Sequence, residues 1–252
     1  MNDILERKIT ILPSMTDFEG KLGYHNVFGI FMDIASEHAD VLGIGMNELK
    51  KKDMFWLTAK TKVIFHRRPR LGDEVILRTW PDKPEKVRAN RSYSISDKNG
   101  EMIVGKTEWA VINFKTKTLV AVDGLYPEDL KFDLETAIQE QFPRIAAIGF
   151  EDGETMTHVI RSADVDIGGH MNNTAYVRAL IDCFSCAELK KSNIEKIDLM
   201  YRAQCYEGDV LSFIRKDYDG FSEIMAKKDD SVVLLARVGY SEKLRGEFPQ
   251  KQ

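Results

Sequence analysis

The stretch Asp166-Ile167-Gly168-Gly169-His170-Met171-Asn172-Asn173 decides how this chain is read, because a degenerate copy of it occurs earlier. The earlier copy is Thr16-Asp17-Phe18-Glu19-Gly20-Lys21-Leu22-Gly23. Setting Asp17 on Asp166, an offset of 149, also sets Gly20 on Gly169, Phe31 on Leu180 and Asp33 on Asp182. Self-similarity at a fixed offset marks one structural unit used twice. A second echo, Leu71-Gly72-Asp73-Glu74-Val75 against Glu207-Gly208-Asp209-Val210-Leu211, has an offset of 136, so the first copy holds thirteen more residues (149 less 136) between its landmarks. Loops absorb insertions at small entropic cost, which places the extra residues around Lys50-Lys51-Lys52-Asp53.

Working outward, Val27, Ile30, Phe31, Ile34, Ala35, His38, Val41 and Leu42 recur at helical spacing, and Gly43-Ile44-Gly45 stops the pattern. In the second copy Val177, Leu180, Ile181, Phe184 and Ala187 predict one helix that begins after Asn172-Asn173, both good N-cap residues. Segments 56–65, 73–80, 88–96 and 101–114 are rich in Val, Ile, Thr and aromatics and separated by turn residues. Segments 197–205, 209–216, 221–227 and 231–240 repeat the pattern. Each half therefore reads as strand, long helix and a run of antiparallel strands, with the helix buried against one face of the sheet. The predicted class is α+β, with a first repeat over 1–125, a linker over 126–155 carrying a short helix at 134–141, and a second repeat over 156–252.

At 252 residues with 43% hydrophobic and 30% charged residues, the chain has the composition of a soluble globular protein. No stretch approaches the ~18 apolar residues of a membrane span. The acidic residues near the N-terminus and the absence of an apolar run after it argue against a secretory signal. Cys183, Cys186 and Cys205 cannot all pair with one another, so a cytoplasmic protein with reduced thiols is expected. Cys183-Phe184-Ser185-Cys186 has redox spacing, but it falls mid-helix, where buried small hydrophobes are the expectation. No metal-ligand cluster and no glycine-rich nucleotide loop stand out, so no metal and no cofactor are implied.

His170 follows two glycines and precedes a helix start. Glycines allow close backbone approach, and the first amides of a helix are donors suited to a developing negative charge, so Gly168, Gly169, Asn172 and Asn173 are candidates for substrate contact. Asp166 can orient His170, activate water or cap the turn. Taken alone, the spacing is that of a turn aspartate beside a surface histidine.

Val165 to Tyr176, the later Tyr201-Arg202-Ala203-Gln204-Cys205 and the paired architecture together resemble the acyl-acyl-carrier-protein thioesterases of plants and bacteria. The resemblance runs over about 4–240. It implies a tandem (double) hotdog, each half a β-sheet wrapped around a long helix, and hydrolysis of the thioester of fatty acyl carrier protein. The family pattern Asp-x-Asn-x-His with a later Glu-Cys carries its aspartate and histidine onto Asp166 and His170 and its cysteine onto Cys205. Gly168 stands where the family has asparagine and Gln204 where it has glutamate. The mechanism implied uses Asp166 or His170 to activate water, helix amides beside His170 for the oxyanion, Gln204 for positioning and Cys205 in a minor role. Glu207, two residues further along, is a substitute carboxylate.

The helix stripes have two readings. Their usual meaning is core. In the sheet-wrapped helix that the resemblance implies, the same surface can line an acyl tunnel, mainly in the first half, with Phe28, Met32 and Trp56, and also Met46 and Met54, setting its depth. The partner that the resemblance implies would be acyl carrier protein bearing a phosphopantetheine-linked chain. Net charge is −4, so an acidic partner must be met locally, by His66-Arg67-Arg68-Pro69-Arg70 or by Lys83, Lys86, Arg88 and Arg91, although runs of this kind are more often solvated loops. Nucleic acid is disfavoured, because no broad basic face interleaves with aromatics. Two rival readings stand beside hydrolysis of acyl carrier protein: a non-catalytic acyl-binding or carrier-interacting protein that has lost Asn and Glu, and a thioesterase for acyl-coenzyme A. The oligomeric state, monomer or homodimer, is left open.

Overall fold

The two halves are wired identically in the computed structural model, which describes residues 3–243. The first compact unit, Met1–Pro143, contains β1 (Leu5–Thr10), a 3-10 turn (Pro13–Met15), α1 (Tyr24–Val41), α2 (Met46–Lys51), β2 (Met54–Phe65), β3 (Glu74–Pro81), β4 (Ala89–Asp97), β5 (Gly100–Asn113) and β6 (Thr118–Val120). Its antiparallel strand order is β1-β3-β4-β5-β2, with β6 added beside β5. The second unit, Arg144–Gln252, contains β7 (Glu154–Val159), a 3-10 turn (Ser162–Asp164), α3 (Asn173–Ile181), α4 (Cys186–Lys191), β8 (Ser192–Tyr201), β9 (Val210–Tyr218), β10 (Phe221–Lys228) and β11 (Ser231–Glu242). Its order, β7-β9-β10-β11-β8, is the same order strand for strand. Each unit is a hotdog, and the chain is a double hotdog of the α+β class.

Aromatic packing fixes α1 on its sheet. Phe31 stacks on Tyr93 of β4 at 4.7 Å and 18°, and Tyr24 meets Phe65 of β2 edge-on at 5.1 Å. Gly105 of β5 makes this close approach possible, since a Cβ there would lie 2.5 Å from the Phe31 ring. Beyond α1 the chain turns at Gly43, whose φ of +71° suits glycine.

The second helix departs from the expected single helix. α3 runs nine residues with Val177, Ala179 and Leu180 fully buried, then breaks, and Ser185 starts α4 through a capping box with Glu188. Cys183 lies in the break and Cys186 is the exposed first residue of α4, so these cysteines are not the buried mid-helix pair of the sequence reading. Ala187 is exposed as well.

The thirteen extra residues are also placed differently from the loop insertion expected at Lys50–Asp53. The 18 residues of α1 against nine in α3 account for nine, the 12 residues of β2 against ten in β8 account for two, and Lys52 and Asp53 account for the last two. The first copy differs chiefly by a longer helix.

The expected helix at 134–141 is absent. That segment is an irregular strap over the first sheet. Trp80 Nε1 donates to Glu135 O at 3.0 Å, Ser92 Oγ accepts from Ala137 N at 3.0 Å, Lys106 Nζ reaches Ile138 O at 3.5 Å, and the buried Lys62 donates to Gln141 O at 2.6 Å. Side chains on the strands, and not a helical ladder, thus engage the backbone of this segment. In the second unit, Ile145 and Phe150 pack on Met225 and Leu235.

Candidate active site

A tight turn holds Asp166 and His170 together. Asp166 N donates to His170 O at 3.0 Å, Gly169 N donates to Asp166 O at 2.9 Å, and Gly169 takes a φ of +79°. The Asp166 side chain then organises the loop. Its Oδ1 accepts Gly168 N at 2.7 Å and lies 3.4 Å from His170 Nδ1, with both side chains a little over a quarter exposed. The imidazole leans over Gly168, where a Cβ would meet His170 Nε2 at 2.8 Å. A glycine at 168 therefore lets the ring lie against Asp166.

Gln204 and Cys205 lie in the loop after β8, not in a strand as expected. Cys205 O accepts Met171 N at 2.7 Å, so the backbone that carries Gln204 runs beside the backbone that carries His170. Gln204 is exposed, with its Oε1 3.5 Å from the Tyr206 hydroxyl. Cys205 is fully buried, and burial pushes its thiol up, an effect the adjacent Tyr176 hydroxyl only partly offsets. A thiol in that state is a packing residue and not a nucleophile. Glu207 is exposed in the following turn, so a strand geometry for a substitute carboxylate does not apply.

The helix amides are largely committed within the protein. Asn172 N donates to Asp164 O at 2.8 Å, and Thr174 N donates to the Asn172 side chain at 2.8 Å. Asn172 is thus a helix cap, and of the amides around His170 those of Gly168, Gly169, Met171, Asn172 and Thr174 are taken up within the protein. Asn173 is the first residue of α3 and Gly169 the left-handed residue of the turn.

The first copy shows the same loop in a closed form. Asp17 N donates to Lys21 O at 2.8 Å, Gly20 takes a φ of +67°, and Leu22 N donates to Pro69 O at 2.8 Å, matching the Met171 bond to Cys205. By the offset of 136, Arg68 stands where Gln204 stands. Its guanidinium pairs with Asp17, reaches Glu19 at 3.1 Å and lies 4.0 Å from the centre of the Tyr24 ring. Glu19 and Lys21 occupy the places of Gly168 and His170. One copy is stapled by charge, while the other presents an imidazole and an amide.

Comparison with known proteins matches residues 2–127 to the acyl-ACP thioesterase N-terminal domain and residues 150–242 to the acyl-ACP thioesterase C-terminal domain. This chain belongs to the acyl-ACP thioesterase family. The chloroplastic acyl-[acyl-carrier-protein] hydrolase FATB3 of Cuphea viscosissima is 25% identical over 200 residues, 75% of this chain and 48% of that protein. The palmitoyl-acyl carrier protein thioesterase of Cuphea hookeriana is 23% identical over 86% of this chain and 57% of its own length. The chain therefore spans about half the length of the curated relatives it matches. A crystal structure of an acyl-ACP thioesterase from Bacteroides thetaiotaomicron superposes with a TM-score of 0.86 at 23% identity, covering 95% of this chain and 98% of that one. The 12:0-ACP thioesterase from Umbellularia californica gives 0.85 at 20%, covering 96% and 99%.

Of the residues expected to line an acyl site in this thioesterase-family chain, Phe28 is buried, while Met32 and Trp56 are half-buried. The Trp56 indole donates to Ile44 O at 2.8 Å. Met54 is buried in the first unit, whereas Met46 is 49% exposed and lies outside that interior. The basic runs are divided: His66, Arg70, Lys83, Lys86 and Arg88 are exposed, whereas three arginines are engaged within the first unit. Arg67 forks onto Asp97, the Arg68 side chain is 6% exposed, and Arg91 is buried with its Nη1 3.0 Å from His38 Nδ1. Sequence reasoning missed this inward turn of Arg68 and Arg91, and it missed Asp164. Asp164 is buried beneath the Asp166–His170 loop between His158 and Arg178.

Proposed function

We propose that this chain hydrolyses the thioester of fatty acyl carrier protein, releasing a free fatty acid and the carrier-protein thiol. The observation that carries the reading is the Asp166–His170 pair, set in a loop whose twin in the first half is closed by Arg68. With Nδ1–H of His170 directed to Asp166, Nε2 is the basic nitrogen. Nε2 takes a proton from water as the water oxygen attacks the thioester carbon, and Asp166 stabilises the imidazolium that results. The C–S bond then breaks, and the sulfur leaves with the proton returned by His170. Gln204 has its oxygen turned to Tyr206 and so offers its amide N–H groups to the water or to the developing oxyanion. An amide cannot take the water's proton, so the base is assigned to His170.

The acyl chain is assigned to the first unit, around Phe28, Met32 and Trp56. A cytoplasmic setting is part of the same proposal and is supported by three cysteines that are all unpaired. Gly168 and Gln204 favour one rival, an acyl-binding protein without turnover. The deciding experiment is free-thiol release from acyl carrier proteins bearing C8 to C18 chains, with matched acyl-coenzyme A and the His170→Ala variant alongside. Turnover that prefers the carrier protein and falls by about 10² or more in His170→Ala supports the reading. Binding without turnover supports the rival, and equal turnover of coenzyme A thioesters removes the carrier protein as the specific partner.

A further inference from the structure

The carboxylate of Asp164 has a place in the second unit that nothing in the reaction above uses. Asp164 is 3% exposed, and the contacts of its carboxylate and carbonyl fix part of the catalytic loop. Its Oδ2 accepts Arg161 N at 3.0 Å and lies 3.1 Å from His158 Nε2 on β7, while Oδ1 pairs with Arg178 on α3. Its carbonyl oxygen accepts Asn172 N at 2.8 Å, so Asp164 and Asn172 close the base of the loop that carries Asp166 and His170. Burial opposes ionisation of this carboxyl, but the Arg161 amide, His158 and Arg178 outweigh it and hold its pKa below the usual aspartate value. One ionised side chain thus ties β7, the loop base and the second turn of α3 together.

The fold does not require this arrangement. At the offset of 149, the first copy has Ile9, Met15 and Gly29 in place of His158, Asp164 and Arg178. It makes the same turn regardless. Gly23 N donates to Met15 O at 2.9 Å and Met15 N to Leu12 O at 3.0 Å, matching Asn172 N to Asp164 O and Asp164 N to Arg161 O at 2.8 Å. A buried charge cluster is weak evidence for stability, because desolvation of its members offsets their attraction. Its presence in the copy that carries His170, and its absence from the copy that carries Lys21, points to the site.

We propose that Asp164, acting through His158, Arg178 and the Asn172 amide, is a positioning residue that holds the Asp166–His170 loop in register with α3. The mechanistic part of this inference rests on the thioesterase reading, whereas the structural part does not.

The test is Asp164→Met, the residue that the first copy tolerates in the same turn, read by steady-state kinetics on acyl carrier protein and by amide hydrogen exchange on the whole chain. The expected result is a fall in kcat of about 10- to 100-fold with KM held within about twofold, the size that loss of a positioned group produces. Exchange at the Asp166 and Met171 amides should quicken by about tenfold or more, with the amides of β8 and β11 unchanged. Faster exchange at those two sites alone separates positioning from a general loss of stability. Arg178→Gln removes a partner that is 45% exposed and provides a second variant if Asp164→Met does not fold, with the same pattern expected at smaller size. Unchanged kcat together with unchanged exchange at Asp166 and Met171 overturns the inference. If the wild-type chain shows no turnover, the thioesterase reading falls and the exchange result alone decides the role of Asp164.

Discussion

A side chain at position 168 would set its Cβ 2.8 Å from His170 Nε2 and 3.0 Å from Asp166 Oδ1, so Gly168 is part of how the pair is made. Gly168→Ala should lower kcat by about tenfold or more, since a displaced imidazole loses its alignment with the reacting water. Steady-state kinetics with circular dichroism as a check on folding would show it, and an unimpaired variant would remove the crowding argument. The companion change is Gln204→Arg, which imports the residue of the closed first copy. The introduced guanidinium is expected to pair with Asp166 as Arg68 pairs with Asp17, cutting turnover by about 10² while leaving thermal stability equal or higher. Undiminished turnover there would mean that Asp166 is not reached from position 204. Asp166, His170 and the two departures were legible from the motif. The Arg68 correspondence was also written in the sequence, because the offset that sets Asp73 on Asp209 sets Arg68 on Gln204. Asp164 was not legible: the spacing of His158, Asp164 and Arg178 becomes a cluster only when β7, a 3-10 turn and α3 meet.

Elements were legible where a period ran uninterrupted and misread where two signals overlapped. The stripe from Val177 to Ala187 keeps helical spacing across the break after α3, yet Ser185-x-x-Glu188 is the start signal of a new helix. Ser185 Oγ accepts Glu188 N at 3.2 Å, and Glu188 in turn accepts from Ser185 N at 2.7 Å and pairs with Arg215 at 2.7 Å. Ser185→Ala should cost about 1 kcal/mol, measured by urea unfolding. Burial opposes ionisation of Glu188, but Ser185 and Arg215 prevail and lower its pKa from 4.5 to about 2. A lowered carboxylate pKa stabilises the fold above the ordinary glutamate value, and that contribution is lost as pH falls toward 2. The Tm difference between wild type and Glu188→Gln should therefore be full near pH 6 and shrink steadily below pH 4.5. A difference that stays constant with pH would show that the ion pair contributes nothing. The strap over 134–141 was misread for a different reason. Leu134 and Ile138 have helical spacing, but the partners that settle the backbone, Trp80, Lys62 and Lys106, lie far away in sequence.

At the scale of the whole chain, duplication was the most legible property, since two echoes gave both the repeat and the size of the length difference. What they did not give was the location of that difference, because helix lengthening and loop insertion change an offset equally. The chain divides between Pro143 and Arg144, and Arg144 is exposed while Ile145 beside it is buried. Brief trypsin treatment should therefore cut early at Arg144, leaving two fragments that each keep protected strand amides. Early cutting within β2 or β8 instead would contradict two separately folded units. The strap also bears on how the protein is made. Its contacts run from Glu135 to Gln141 onto β2, β3, β4 and β5, all complete by residue 113, so these strands leave the ribosome before the segment that fastens across them. The first unit can thus be assembled and latched while the residues that carry the chemistry are still being added, and a newborn half-chain is spared a long wait with its outer sheet face uncovered.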